Sequence, residues 1–230
     1  MKKISLKADA EAAIADYKRM EGYSIQDELL LILKDKYRDH KNVHAVDNKV
    51  KLLNLFYSTG IQATNAMTEH IMEIKDIDSR LVAGDLSLVA EIAKLTLKDN
   101  VTRYNYSFAT KYCAYHQPEK FPIYDSIVAK TFVSLFAKGY LPKYKLGKKT
   151  IEDQQTYTKG DFDKKLKDYK FFVALYNYFM ETYDLKHLCY RKVDAYIWGA
   201  FKVAGPEFEI EKMAQLDKKK IQEYTIDRTK

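Results

Sequence analysis

Apolar residues recur at steps of three and four along most of this chain, and this spacing constrains its fold more than any other feature. Stripes of this kind occur in six segments, which are residues 25–38, 47–58, 65–77, 85–95, 163–183 and about 187–202. Such spacing places one apolar face along an α-helix. Only eight glycines and four prolines interrupt the 230 residues, so long helices are expected. No alternating run flanked by hairpin turns is present, and we predict an all-α protein.

The ends of several helices are also indicated by residue type. Asp47 or Asn48 is expected to cap the second segment, Gly60 to end it, and Asp85 to cap the fourth. In the first segment the predicted buried side consists of Ile25, Leu29, Ile32 and Leu33.

The charge balance raises the expectation of a polyanionic partner. There are 39 basic against 32 acidic residues, a net charge of +7 and a pI of about 9.0. The 19 tyrosines often stand beside Lys or Arg, although tyrosines also cover helix surfaces with their hydroxyls in water.

Membrane and secreted classes are disfavoured by the sequence. The longest apolar run, from Leu29 to Leu33, is followed by Lys34 and is far shorter than the roughly 18–20 residues of a membrane span. Acidic residues interrupt any signal-peptide core near the start. Two cysteines, Cys113 and Cys189, are too few for a disulfide framework. We therefore expect a soluble intracellular protein with no membrane contact.

The segment 138–149 departs from the helical pattern. It holds five lysines, two glycines, one proline and no acidic residue, and it is predicted to be a loop. It is either a solvated connector or a contact for phosphates, made by lysines 143, 145, 148 and 149.

The familiar catalytic signatures are missing from the sequence. There is no glycine-rich phosphate loop and no Gly-x-Ser-x-Gly elbow. His40 and His44 are four residues apart, as two metal ligands on a helix could be, but they lie in a predicted turn and no HExxH glutamate accompanies them. Cys113 beside His116 is interpreted as a buried structural cysteine rather than a thiolate–imidazole pair. We expect neither a metal nor a cofactor.

The most informative segment is 101–132. It predicts a helix from Tyr106 to His116, a turn containing Pro118 and Pro122, an extended piece and then a second helix. Asp125 lies where the extended piece becomes the second helix, so it is a natural N-cap.

This segment resembles the core of the helix-hairpin-helix DNA glycosylase superfamily, the group that contains endonuclease III and 8-oxoguanine glycosylase. The stretch Phe121-Pro-Ile-Tyr-Asp-Ser-Ile-Val128 resembles the element that carries the catalytic aspartate, which places Asp125 on that aspartate. The stretch Phe108-Ala-Thr-Lys-Tyr-Cys-Ala114 resembles the buried helix before it. The stretch 191–202 is similar to the closing helix of bacterial proteins related to 8-oxoguanine glycosylase.

The sequence departs from the family pattern in three places. The predicted hairpin, residues 98–105, lacks the usual glycine turn, although Asn100 and Asn105 tolerate a left-handed backbone and Arg103 could replace lost amide contacts. The Schiff-base lysine of bifunctional members falls on Ser107, which cannot form an imine, and Lys111 follows one turn later. The four-cysteine iron–sulfur loop is missing.

The resemblance implies a function, a fold and a set of site residues. The implied fold has two helical lobes with a central cleft, one from about 45–120 and the other from about 1–44 plus 121–230. The implied activity is excision of a damaged or modified base from double-stranded DNA by hydrolysis of the N-glycosidic bond, without strand cleavage, by a monomer in the bacterial cytoplasm near the nucleoid. Asp125 is the expected catalytic carboxylate, and Lys111 keeps a lyase step open.

The remaining implied residues contact the flipped base or the phosphates. The base pocket is expected from Tyr104, Tyr124 and Trp198, with Tyr106 and Tyr115 as further candidates, although most of these could be core residues instead. Phosphate contacts are expected from Arg103, Asn105, Ser107, Lys130, Lys143, Lys145, Lys148 and Lys149. The role could be repair, or defence against phage DNA with modified bases. The alternatives are an inactive DNA-binding relative and a helical interaction protein in which Asp125 only caps a helix.

Overall fold

The computed structural model describes residues 5–17, 21–147 and 155–201, and this part of the chain is mostly helical. The helices are α1 (Lys7–Tyr17), α2 (Glu21–Lys36), α3 (Val43–Phe56), α4 (Thr64–Glu73), α5 (Ile77–Ala83), α6 (Ser87–Ala93), α7 (Tyr106–His116), α8 (Ser126–Ala137), α9 (Lys159–Lys165), α10 (Tyr169–Thr182) and α11 (Tyr190–Tyr196), which continues into a π-helical turn (Ile197–Phe201). The all-α prediction is confirmed at this level.

Two short strand pairs accompany the helices. Strands β1 (Lys94–Thr96) and β2 (Thr102–Tyr104) form an antiparallel hairpin between α6 and α7, in which Leu95 faces Arg103. Strands β3 (Lys145–Leu146) and β4 (Thr156–Tyr157) pair in parallel. The loop predicted for 138–149 therefore contains a short strand, and Lys148 and Lys149 lie outside the described residues.

Side-chain caps explain where several helices begin. Asn42 accepts a hydrogen bond from the Ala45 amide at the start of α3, so the predicted cap at Asp47 or Asn48 was wrong. Asp85 accepts from the Ser87 amide at the start of α6, as expected. The predicted helix 163–183 is divided into α9 and α10 because Asp168 caps a new helix through the Phe171 amide.

The apolar face predicted for α2 is not the buried one. Leu30 is buried, whereas Leu29, Leu31 and Ile32 are about half exposed or more. Elsewhere the predicted stripes are in the core, including Met67 and Ile71 of α4. The step of three and four residues identified the helix but not which side faces the interior.

One continuous hydrophobic cluster links the helices on both sides of the 121–125 segment. Helix α1 packs against α11, α6 against α7, and α8 against both α9 and the π-helical turn, while α2 packs against α3 and α7. Aromatic rings fill the core of the C-terminal half, where Phe136 stacks on Phe162 with the ring centres 4.0 Å apart. The boundaries of the two lobes stay a prediction. None of the helices in the described ranges is both long and apolar enough to cross a bilayer.

Candidate functional site

The extended segment that carries Asp125 is fixed by side chains from two neighbouring helices. The Tyr169 hydroxyl donates to the Pro122 carbonyl at 2.9 Å. The Ser107 hydroxyl donates to the Tyr124 carbonyl at 3.1 Å, and the Tyr124 amide donates to Oγ1 of Thr110, also at 3.1 Å. These bonds satisfy backbone groups that the prolines leave outside any helix, and they set the position of Asp125.

Asp125 caps α8 with one of its two carboxylate oxygens. Its Oδ1 accepts from the amides of Ile127 and Val128, each at 2.8 Å. Its Oδ2 accepts no hydrogen bond from the described residues, and the side chain is partly exposed. The N-cap prediction is confirmed, and the second oxygen remains available to a ligand.

Lys111 lies on the face of α7 that points toward this carboxylate. Its side chain is buried, and Nζ donates to Oγ of Ser107 at 2.7 Å and lies 5.6 Å from the ring centre of Tyr57. Burial lowers the pKa of Lys111, and the charges of Asp125 and Asp194 oppose this change. The structure therefore groups Ser107, Lys111 and Asp125, as the sequence analysis expected.

An ion pair on α11 lies near Lys111. Arg191 donates through Nη1 to Oδ2 of Asp194 at 3.0 Å, and its guanidinium lies 5.8 Å from the ring centre of Tyr57. Asp194 is buried, and its Oδ1 has no hydrogen-bond partner among the described residues. Burial raises the pKa of Asp194 to about 6, although Arg191 acts in the opposite direction. The cationic groups of Lys111 and Arg191 thus both lie near the Tyr57 ring.

Three of these residues were absent from the predicted site. Tyr57 falls within the helical stripe predicted for 47–58, and Arg191 and Asp194 fall within the stretch 191–202 that is similar to a closing helix. The signal that could have found them is an Arg and an Asp three residues apart, with the Asp set between Val193 and Ala195. An acidic residue on an apolar helix face requires a partner when it is buried.

The aromatic residues predicted to form the walls of the base pocket differ in how far they are exposed. Tyr104 is 54% exposed and stacks on Tyr106, with the two ring centres 6.0 Å apart. The ring centres of Tyr106 and Tyr124 are 4.7 Å apart. The Tyr106 hydroxyl donates to the Leu166 carbonyl, and burial raises its pKa, so Tyr106 is a core residue. Trp198 is partly buried in the π-helical turn, which packs against α8.

The hairpin expected to hold a phosphate is a β-hairpin with a left-handed residue at its turn. Asn100 has φ of 61° and supplies the conformation that a glycine would usually supply. Asn105 has φ of −90°, and its Nδ2 is buried with no partner in the part of the chain that the structure describes. Arg103 is exposed and donates to the Gln62 side chain at 3.3 Å. The turn can therefore form without glycine, with a cation on its surface.

The remaining predicted phosphate contacts lie on α8 and after it. Lys130 is exposed on α8. The ammonium of Lys143 lies 5.7 Å from the rings of both Tyr144 and Tyr178, and its backbone amide donates to the Tyr178 hydroxyl. Lys145 is exposed on β3. These contacts stay predictions.

A separate buried polar network surrounds His40. Its Nδ1 lies 2.6 Å from Asp78, and its Nε2 lies 2.8 Å from the Tyr112 hydroxyl. His44 is exposed, and no group of three or more potential metal ligands occurs among the described residues. Cys113 is fully buried, which raises its pKa and makes its thiol inert as a nucleophile. Neither pair singled out in the sequence forms a reactive site in this part of the chain.

Comparison with known proteins gives two matches. The family model HI_0787_N, described as an N-terminal domain, matches residues 9–120. An uncharacterized protein of Haemophilus influenzae is 36% identical over 133 residues, which covers 54% of this chain and 66% of that relative. No solved structure is similar enough to count as a match. The family match includes Tyr57, Ser107 and Lys111 and ends before Asp125.

Proposed function

We propose that this chain is a DNA glycosylase that flips a damaged or modified base out of double-stranded DNA and hydrolyses its N-glycosidic bond. The proposal applies to base release without strand cleavage, with Asp125 as the catalytic carboxylate. It rests on the resemblance of residues 108–128 and on the geometry around Asp125. The finer fold assignment, a two-lobed glycosylase-like structure with a central cleft, is part of the same proposal.

The observation that carries the proposal is the unequal use of the two Asp125 oxygens. An aspartate that only capped a helix would need no more than Oδ1, which accepts both amide bonds. The Oδ2 atom accepts no hydrogen bond from the described residues, and the two amide bonds to Oδ1 fix the position of the carboxyl group. A carboxylate in this position stabilises the positive charge that develops on the sugar when the bond to the base breaks. It can also orient or deprotonate the attacking water.

The surroundings of Asp125 favour such chemistry. Asp125 lies at the amino end of α8, where the amide dipoles favour a negative charge. Ser107 and Thr110 hold the preceding residue, Tyr124, by its backbone. The carboxylate is therefore positioned before substrate binds, which is the condition for electrostatic stabilisation of a transition state.

Charge supports DNA as the partner. The chain carries a net charge of +7, and Arg103, Lys130 and Lys145 are exposed. Cations on a surface bind phosphates and release counterions, which gives affinity without sequence preference. Repair of damaged bases and defence against modified phage DNA both fit this chemistry.

The test is release of free base from duplex oligonucleotides that carry single oxidised, alkylated, deaminated or hypermodified bases. We expect at least one class to be released by the wild-type chain and not by Asp125→Asn. DNA binding without release of any base would instead support an inactive DNA-binding relative. Absence of both binding and release would support an interaction protein in which Asp125 is only a cap.

A further inference from the structure

Helix α11 places one carboxylate in an apolar environment. Asp194 stands between Val193 and Ala195, and all three residues are buried. Its Oδ2 accepts from Arg191 at 3.0 Å, while its Oδ1 has no hydrogen-bond partner among the described residues. Burying a carboxylate whose oxygens are not all satisfied costs free energy. An ion pair that served the fold alone is expected to use both oxygens, so Asp194 is a candidate for a role in the site.

The group on which Asp194 acts is the ammonium of Lys111. Lys111 and Arg191 both lie near the ring of Tyr57, with Nζ 5.6 Å and the guanidinium carbon 5.8 Å from the ring centre. Arg191 binds Asp194, so the carboxylate belongs to the same cluster. The charges of Asp125 and Asp194 both favour the protonated form of Lys111, whereas burial lowers its pKa and favours the neutral amine. Two carboxylates therefore oppose the loss of a proton from Lys111.

The other groups that face Lys111 and Asp194 leave this balance in place. Ser107 accepts a hydrogen bond from Nζ of Lys111 and carries no charge. The Tyr176 hydroxyl, on α10, interacts with the charge of Asp194, and burial raises the pKa of Tyr176, so this group stays neutral. Arg191 offsets part of the negative charge of Asp194.

The protonation state of Lys111 decides which chemistry the site can perform. A neutral amine attacks the C1′ aldehyde of an abasic sugar with its lone pair, forms a C–N bond, and then loses one molecule of water to leave an imine. A charged ammonium has no lone pair and only donates hydrogen bonds. Lys111 donates one to Ser107, the position at which the resemblance places the Schiff-base lysine.

We propose that Asp194 is a positioning residue that keeps Lys111 charged and bonded to Ser107, so that the site hydrolyses the glycosidic bond and does not form an imine with the sugar. This inference rests on the proposed glycosylase function and specifies what separates it from lyase chemistry in this chain. Asp194 is buried and acts through Lys111 rather than by contact with the sugar. Asp125 has the same influence on Lys111 but is required for catalysis, so removal of Asp194 is the change that exposes the effect.

Asp194→Asn tests this role while it keeps the shape of the side chain. The amide still accepts from Arg191, and one buried charge is removed, so the fold should be retained. The matched control is Asp168→Asn, which also removes a carboxylate from a lysine, Lys165, at 2.6 Å, but outside the cluster. A double variant, Asp194→Asn with Lys111→Met, removes the amine itself.

The measurement is borohydride trapping on a duplex oligonucleotide with a single abasic site, which requires no base release. Borohydride delivers hydride to the imine carbon and leaves a stable secondary amine between the chain and the DNA. We expect a weak adduct at pH 7 from the wild type and from Asp168→Asn. Asp194→Asn should give an adduct at least about tenfold stronger, because each unit by which the pKa of Lys111 falls increases the neutral amine about tenfold. The double variant should give none.

The pH profile of trapping separates this role from a structural one. The neutral amine accumulates as the pH rises through the pKa of Lys111, so the adduct should increase with pH, and the midpoint should be lower in Asp194→Asn than in the wild type. A variant that only loosened the fold would change the yield without moving the midpoint. An unchanged midpoint, equal adducts from the two proteins at pH 7, or an adduct that persists in the double variant would overturn the inference.

Base release from the panel of modified duplexes is measured in parallel. Release of a base by the wild type, with trapping that Asp194→Asn does not change, overturns the role of Asp194 and leaves the glycosylase function standing. A Lys111-dependent adduct that increases in Asp194→Asn, with no base released from any duplex, overturns the glycosylase function and supports the effect of Asp194 on Lys111.

Discussion

The Nζ atom of Lys111 lies 2.7 Å from Oγ of Ser107, to which it donates a hydrogen bond from one helical turn later. Ser107 is the position at which the resemblance places the Schiff-base lysine of bifunctional glycosylases. The hydroxyl cannot form an imine, yet a buried amine of lowered pKa lies beside it. This arrangement makes the distinction between hydrolysis and lyase chemistry directly testable.

Replacing Lys111 with Met is expected to slow base release about tenfold without abolishing it. The substitution removes the hydrogen bond to Ser107, which in turn holds the Tyr124 carbonyl next to Asp125. Stability should change little, since Met fills the same space without a buried charge. Single-turnover kinetics measure the rate, and borohydride trapping detects an imine. A trapped adduct with the wild-type chain that Lys111→Met eliminates would show that the enzyme is bifunctional.

Replacing Asp125 with Asn is expected to reduce base release by at least about 100-fold, which corresponds to roughly 2.7 kcal/mol of transition-state stabilisation. Asn keeps the shape and can still cap α8, but it removes the charge that stabilises the developing cation. DNA binding should be retained or improved, because a negative charge near the phosphates is lost.

The matched control for that variant is Asp168→Asn. Asp168 caps α10 through the Phe171 amide in the same way, and it also pairs with Lys165 at 2.6 Å. We expect it to change stability slightly and activity not at all. Equal activity losses in the two variants would identify Asp125 as a structural cap.

DNA affinity is expected to depend on salt through a small set of exposed cations. Removing Arg103, Lys130 or Lys145 singly by substitution with Ala should weaken binding and reduce the slope of log K against log salt concentration by about 0.9 each. Lys75→Ala is the control, because it removes the same charge from another surface. Filter binding at several salt concentrations measures the slopes. Slopes identical to the wild type in all three variants would show that DNA does not contact this surface.

The sequence predicted the helices well because their apolar spacing is a local property. The cap at Asp125 was also predictable, since two prolines before it leave only one place for α8 to begin. The buried side of α2 was not predictable, because Leu30 is in the core while Leu29 and Ile32 are exposed. Which side of an amphipathic helix is buried depends on neighbouring helices that the periodicity does not identify.

The candidate site was predictable only where its residues share one segment. Ser107, Lys111 and Asp125 lie within 19 positions of each other in the sequence, and the resemblance grouped them. Tyr57 and Arg191 come from distant parts of the chain and meet only in the folded protein. Their contact depends on the packing of α3, α7 and α11, which no local pattern specifies.

The buried carboxyl of Asp194 is expected to make the stability of the protein fall as the pH rises from about 4 to about 6. Burial raises the folded-state pKa of Asp194 to about 6, from an ordinary value of 3.8. The folded state therefore holds more protons than the unfolded state in this range, and the free energy of unfolding decreases with increasing pH. This change in pKa corresponds to roughly 3 kcal/mol. In Asp194→Asn, the amide still accepts from Arg191 but does not ionise, so this dependence should disappear. Burial lowers the pKa of His40, which opposes the trend, but that effect is common to both proteins and cancels in the difference.

Urea unfolding of the wild type and of Asp194→Asn at pH 4, 5, 6 and 7 measures the difference in the free energy of unfolding, which should favour the variant increasingly up to pH 7. Parallel stability profiles over this range would show that Asp194 titrates normally in the folded state.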